Sequence, residues 1–151
     1  MNEPNEAISR IFLIEDDVDD CEIFLQAIKE IAPHIEVVCT SDDDKVLHTM
    51  DKFQPNLVFI NLHLPHNPGI DKLMAIHAHP PFRNIPVIIY TSWHNEAEIA
   101  GAIAAGAKLY VEKPASYSSL VAHLRTVLSL PWHTPEAIPT MHLKDGVPKT
   151  L

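Results

Sequence analysis

Glycine is scarce in this chain, at 4 of 151 residues. So thin a supply leaves no phosphate-cradling loop of the P-loop kind and no dinucleotide fingerprint. Basic residues are also few: 11 Lys and Arg stand against 20 acids, a formal charge of −9. They are scattered rather than striped, which argues against nonspecific nucleic-acid binding, since that needs cations to neutralise phosphates. No apolar run approaches the roughly 18 residues of a membrane span. The opening residues Met1 to Glu6 are polar and acidic, unlike a signal peptide. Only 2 cysteines are present, and they do not accompany the 10 histidines in a zinc-like pattern. His63 with His66, and His77 with His79, are therefore expected at the surface. Cys21 and Cys39 sit in apolar periodic segments and are expected as buried, reduced thiols of a cytoplasmic protein.

What is present is a chain with 46% hydrophobic and 21% charged residues, long enough for one soluble domain with a sizeable core. Short apolar runs alternate with segments of helical period. The runs are Ile11 to Ile14, Ile35 to Cys39, Leu57 to Ile60, Val87 to Tyr90 and Leu109 to Val111. Each is apolar on consecutive positions, as strands covered on both faces are. Between them, Cys21, Phe24, Leu25, Ile28 and Ile31 repeat at helical spacing. Val46, Leu47, Met50 and Phe53 do the same, stopping before Pro55. Gly69 opens a third helix through Leu73 and Ile76, which ends before Pro80. Ala-rich Glu96 to Ala105 forms a fourth, with Gly106 as its cap. The fifth runs from about Ser118 to Leu130, with Leu120, Leu124, Val127 and Leu128 facing inward.

Five strand–helix alternations predict a doubly wound α/β sheet, parallel throughout, with right-handed crossovers. Residues 1–8 read as an N-terminal extension, 9–130 as the domain and 131–151 as a tail. The tail holds Pro131, Pro135, Pro139 and Pro148, a composition that points to flexibility. Trp132, Ile138, Met141 and Leu143 would instead anchor it, and both alternatives stand.

Ligand sites of open α/β sheets lie beyond the carboxyl ends of the strands. Those ends carry Glu15-Asp16-Asp17, Asn61, Thr91-Ser92 and Lys113-Pro114. Each is weak by itself, but all four in chain order are a strong pattern. Here the chain resembles the receiver domain of two-component response regulators, over about Ser9 to Leu130. The resemblance is carried by Ile11 to Asp17, Pro55 to Pro65, Ile85 to Ser92 and Gly106 to Pro114. The run Asp16 to Asp20 is similar to stand-alone receivers of the phytochrome-associated kind.

The resemblance implies a flavodoxin-like (βα)5 fold with strand order 2-1-3-4-5. It gives Glu15 and Asp16 as the acidic pair that holds Mg²⁺, with the backbone carbonyl of His63 as a further ligand. Asp16 is the direct carboxylate ligand in that assignment. Thr91 matches the hydroxyl that contacts the phosphoryl group, Lys113 the lysine that pairs with it, and Tyr110 the aromatic that changes rotamer with Thr91. The Lys113–Pro114 bond matches one that is often cis. Asn61 stands where the phosphoacceptor carboxylate belongs. A carboxamide is a poor nucleophile and one anion short as a metal ligand. The expectation is a pseudo-receiver that accepts no phosphate, binds Mg²⁺ weakly and has no catalytic residue.

The partner implied is a sensor histidine kinase or another signalling protein, with a homodimer through Asn95 to Leu130 as an option. No output domain, nucleic acid or membrane is expected. With no metal at Asn61, Lys113 is expected to pair with Asp16. Asp19, Asp20 and Glu22 read as partners of a helix dipole. Two other readings stay open. One is a conventional receiver using Asp17 or a deamidated Asn61, although bulky Leu62 hinders deamidation. The other is a flavodoxin-like enzyme or small-ligand binder.

Overall fold

The computed structural model describes residues 7–65, 68–92, 95–144 and 147–151. His66 and the opening Met1 to Glu6 lie outside them. In chain order the elements are β1 (Arg10–Ile14), α1 (Val18–Ile31), β2 (Glu36–Thr40), α2 (Val46–Phe53), β3 (Leu57–Ile60) and α3 (Gly69–Ala78). They continue with β4 (Val87–Thr91), α4 (Glu96–Ala104), β5 (Leu109–Glu112), α5 (Tyr117–Leu128), β6 (Met141–Lys144) and β7 (Val147–Thr150). The sheet order is β2-β1-β3-β4-β5-β6-β7.

Alternation along the central strands sorts the core into two layers, because successive side chains point to opposite faces. Ile11, Leu13, Leu57, Phe59, Ile88 and Tyr90 pack against Phe24 and Ile28 of α1 and Leu120, Leu124 and Val127 of α5. Phe12, Ile14, Val58, Ile60, Val87, Ile89 and Tyr110 pack against Met50 of α2, Leu73 and Ile76 of α3, and Ile99 and Ala102 of α4. Both faces are covered, which is why the runs are apolar on consecutive positions. Helix starts are fixed locally. Asp17, Asn95 and Ser116 cap α1, α4 and α5 by accepting from Asp20, Glu98 and Ser119 backbone N–H groups. Gly106 follows α4 at φ +115, a conformation that L side chains rarely adopt.

The sheet is larger than the expected five parallel strands. After α5, Trp132 is buried and its indole Nε1 donates to Val127 O at 2.8 Å. Ile138 and Leu143 join the α1–α5 layer. β6 then pairs in parallel with β5, matching Tyr110 with His142, and β7 turns back antiparallel. So the proline-rich tail is packed, and the sheet is not parallel throughout. The reason is tertiary: β5 would otherwise present an unpaired edge.

Two further expectations are corrected. Cys21 and Cys39 are joined in a disulfide, with Cα atoms 6.1 Å apart, and both are partly exposed rather than fully buried. The first turn of α1 lies over the end of β2, a proximity that their separation of 18 in sequence does not reveal. No peptide bond among the described residues is cis, so Lys113–Pro114 is trans. Trans is the lower-energy form for X–Pro by about 0.5–1 kcal/mol.

Truncating the tail anchor tests the packing. Trp132→Ala should lower the unfolding free energy by about 3–5 kcal/mol in a urea titration. A loss below about 1 kcal/mol would mean that the tail is not part of the core.

Candidate functional site

The ends of β1, β3, β4 and β5 meet because the parallel ladder carries each chain past its strand into a neighbour. Asn61 N–H donates to Ile14 O at 3.0 Å, Glu15 N–H to Thr40 O at 2.9 Å and Lys113 N–H to Thr91 O at 2.8 Å. Gly69 locks the loop after β3. A Cβ there would lie 2.4 Å from Asn61 O and 2.8 Å from Leu62 Cα, so no side chain fits. Beyond these ends opens a cleft of about 500 Å³ lined by Asp17, Asp20, Asn61, His63, Thr91, Ser92 and Lys113.

Glu15 is its organising group, 2% exposed. One carboxylate oxygen, Oε2, accepts from Asn61 Nδ2 at 2.7 Å and from Asp16 N–H at 3.1 Å. The other, Oε1, accepts from Lys113 Nζ. The same ammonium donates to Asp20 Oδ2 at 2.7 Å and stands 5.3 Å from the Tyr90 ring centroid. Asn61 Oδ1 accepts from His63 N–H at 3.2 Å, so both ends of the carboxamide are used. Asp16 turns away: Oδ1 accepts from Asp42 N–H at 3.2 Å, and Asp42, itself buried, pairs with Lys72 at 2.8 Å.

Of the expected residues, Asn61, His63, Thr91 and Lys113 line the cleft and Glu15 contacts two of them, whereas Asp16 and Pro114 are not among its lining residues; three further differences follow. Lys113 pairs with Glu15 and Asp20, not Asp16, because Glu15 past β1 and Asp20 in the first turn of α1 both place a carboxylate oxygen on its ammonium. Asp20 is more than a dipole partner of α1, since the first helical turn aims it at Lys113. Tyr110 does not line the cleft. It is fully buried in the α2–α3–α4 layer, edge-on to His142 at 5.5 Å.

The expected histidine surface is also only partly right. His77 Nε2 bonds with Ile85 O at 2.9 Å, and His79 pairs with Asp51 at 3.1 Å. His63 Nε2 lies 3.4 Å from Glu98 on α4. His123 and His142 are buried, on the inward face of α5 and against Tyr110. Sequence reasoning also missed Asp42 and Lys72. The available signal was the acidic run Ser41-Asp42-Asp43-Asp44 after β2, next to β1 in the sheet.

The oxygen donors around the cleft are the carboxylates of Glu15, Asp16, Asp17 and Asp20, the Asn61 carbonyl and the backbone carbonyl of His63 that the resemblance implies. Glu15, Asp20 Oδ2 and Asn61 Oδ1 are already engaged by Lys113, Asn61 Nδ2 and His63 N–H. Asp16 Oδ2 remains, buried and without a partner among the described residues. With the Glu15 oxygens and Asp20 Oδ2 engaged, Asp16 Oδ2 is the buried carboxylate oxygen open to Mg²⁺, which takes one or two carboxylates and fills its octahedron with water. No group of three or more acidic, His or Cys side chains suited to a metal occurs among the described residues.

Two buried tyrosines are perturbed, Tyr90 beside this cluster and Tyr110 in the opposite layer. Burial foremost, then the charges of Asp20 and Glu15, pushes the Tyr90 phenol well above its ordinary range. Burial also raises Tyr110, helped by Glu98 and Glu112. A raised folded pKa adds stability in full below the unfolded value of about 10 and loses it as pH rises toward the folded one. Tyrosinate absorbance from these rings should hence appear together with alkaline unfolding, not before it. Lys113→Met should cost about 3–5 kcal/mol in urea unfolding at neutral pH, because it strands the Glu15 carboxylate. Restoring most of that loss with Glu15→Gln on the same chain would confirm the cause.

Comparison with known proteins agrees with this fold. The profile of the response regulator receiver domain matches residues 11–125. Among curated relatives, the sensory transduction protein BceR of Halalkalibacterium halodurans is 28% identical over 121 residues, 79% of this chain and 49% of that protein. Response regulator Rcp1 of Synechocystis is 24% identical over 117 residues, 73% of this chain and 80% of its own length. The chain spans half or less of several curated relatives. Among solved structures, the phosphorylated cyanobacterial phytochrome response regulator RcpA aligns at TM-score 0.71 and 24% identity, covering 80% of this chain and 91% of that one. The Mn²⁺-bound form of Rcp1 aligns at 0.70 and 22%, covering 83% and 96%. With five βα units in the order 2-1-3-4-5 and a profile match across nearly all of them, the chain belongs to the response regulator receiver domain family.

Proposed function

We propose that this receiver works as a pseudo-receiver in two-component signalling, through protein–protein contact and without an aspartyl phosphate. Asn61 holds the phosphoacceptor position, with Glu15 and Asp16 as the acidic pair, Thr91 and Lys113 as phosphate-contacting groups and Tyr110 as the switch aromatic. What supports this reading is the bond from Asn61 Nδ2 to Glu15 Oε2 at 2.7 Å. A carboxylate in the same place would face another carboxylate at that distance and would need a cation between them. The carboxamide makes the contact favourable with no metal, and Lys113 neutralises the remaining oxygen. The amide nitrogen lone pair is delocalised and does not attack phosphorus.

The pocket is thereby held in a single electrostatic state. Glu15 and Asp20 are compensated by Lys113 and Asn61, so Mg²⁺ binds weakly and no residue acts as a catalyst. Partners are a sensor histidine kinase or another signalling protein in the cytoplasm, and not nucleic acid. Association through Asn95 to Leu130, including as a homodimer, would involve the β6–β7 hairpin as well, because β6 occupies the β5 edge of that surface.

The test is intact mass after incubation with a small phosphodonor and Mg²⁺. The natural chain should stay unchanged, while Asn61→Asp should gain one phosphate. A phosphate on the natural chain, mapped to Asp17 or to a deamidated position 61, would overturn the proposal in favour of conventional phosphotransfer.

A further inference from the structure

The Cys21–Cys39 bridge spans the two supports of the Glu15–Lys113 contact. Cys21 directly follows Asp20, whose Oδ2 accepts from Lys113 Nζ at 2.7 Å. Cys39 directly precedes Thr40, whose carbonyl accepts the Glu15 N–H at 2.9 Å. Cys21 Sγ also lies 3.6 Å from the Glu15 carbonyl oxygen. The disulfide thus ties the first turn of α1 to the end of β2 across the backbone that carries Glu15. Both cysteines are partly exposed at the margin of the α1–α5 layer, within reach of a small thiol reagent.

Two buried layers, rather than the bridge, build the core. Disulfides are usually indispensable in small secreted domains that cannot build a core. Here two buried layers cover the sheet on both faces. In a thiol-reducing compartment, where we place the protein, disulfides of this kind are transient and redox-sensing.

We propose that Cys21–Cys39 is a reversible redox site that sets the Lys113–Asp20 contact of the receiver pocket. A thiolate of a dithiol reductant attacks one sulfur of the bridge, forming a mixed disulfide and releasing the other cysteine as a thiolate, which takes up a proton. The second thiol of the reductant then closes its own disulfide and frees the first cysteine. Net, two electrons and two protons pass from the dithiol to the protein. Cutting the bridge unties the first turn of α1 from β2, and Asp20 no longer has its fixed position opposite Lys113. The pocket thereby receives an input that does not need Asn61. The inference rests on the observed Lys113–Glu15–Asp20 cluster and not on the fate of phosphate.

By linkage, the coupling is reciprocal: whatever removes the Lys113–Asp20 contact must make the bridge easier to reduce. The experiment counts thiols on the full chain by mass after alkylation, then titrates the bridge against oxidised and reduced dithiothreitol. Without reductant no thiol should be found, and two should appear after native reduction. Asp20→Asn and Lys113→Met should each shift the exchange constant toward the dithiol by about fivefold or more. Asp20 is the safer site, since its side chain is 38% exposed and its loss leaves Glu15 paired. Free thiols in the unreduced protein would overturn the proposal. So would an Asp20→Asn constant within about twofold of the natural chain, the range of independent sites. Neither outcome depends on the phosphodonor experiment, so the two readings fail separately.

Discussion

A carboxylate buried at the end of a central strand cannot stay charged alone, and the site is arranged around that constraint. Glu15 lies just past β1, next to the strand that delivers Asn61, and Lys113 reaches it from the end of β5. Its two oxygens are met by one ammonium and one carboxamide, with a backbone N–H in addition. Everything else in the cleft depends on that compensation. Asp20 shares the ammonium, His63 N–H completes the carboxamide, and Asp16 is left to order the loop after β2 through Asp42.

The fold supplies this geometry without special strain. Parallel strands covered on both faces place their carboxyl ends in one line, and the next residue of each reaches the same crevice. Gly69 gives the loop after β3 its close approach to Asn61. The C-terminal hairpin covers the β5 edge and brings His142 against Tyr110, so the tail abuts the buried end of the same strand that carries Lys113.

Much of this was legible in the sequence. Consecutive apolar residues in Ile11 to Ile14, Leu57 to Ile60 and Val87 to Tyr90, each too short for a helix and rich in Val and Ile, marked the central strands. The site residues were legible as the polar side chains just past the end of each run. The sixth strand was not, since Met141-His142-Leu143-Lys144 has no strand signal of its own and owes its conformation to the β5 edge. Asp20 was read as a helix-dipole partner because an acid in a first turn satisfies that rule wherever its side chain points. The cysteine bridge was hidden for a similar reason: both residues fit an apolar pattern, and only the packing of α1 over β2 brings them together.

The central claim is that an internal ammonium and an internal amide satisfy Glu15 and so weaken any hold of the pocket on a divalent cation. Isothermal titration of the natural chain with Mg²⁺ at neutral pH measures this most directly. The account predicts no saturable heat at submillimolar Mg²⁺. Saturable binding at submillimolar Mg²⁺, abolished by Asp16→Asn, would contradict it.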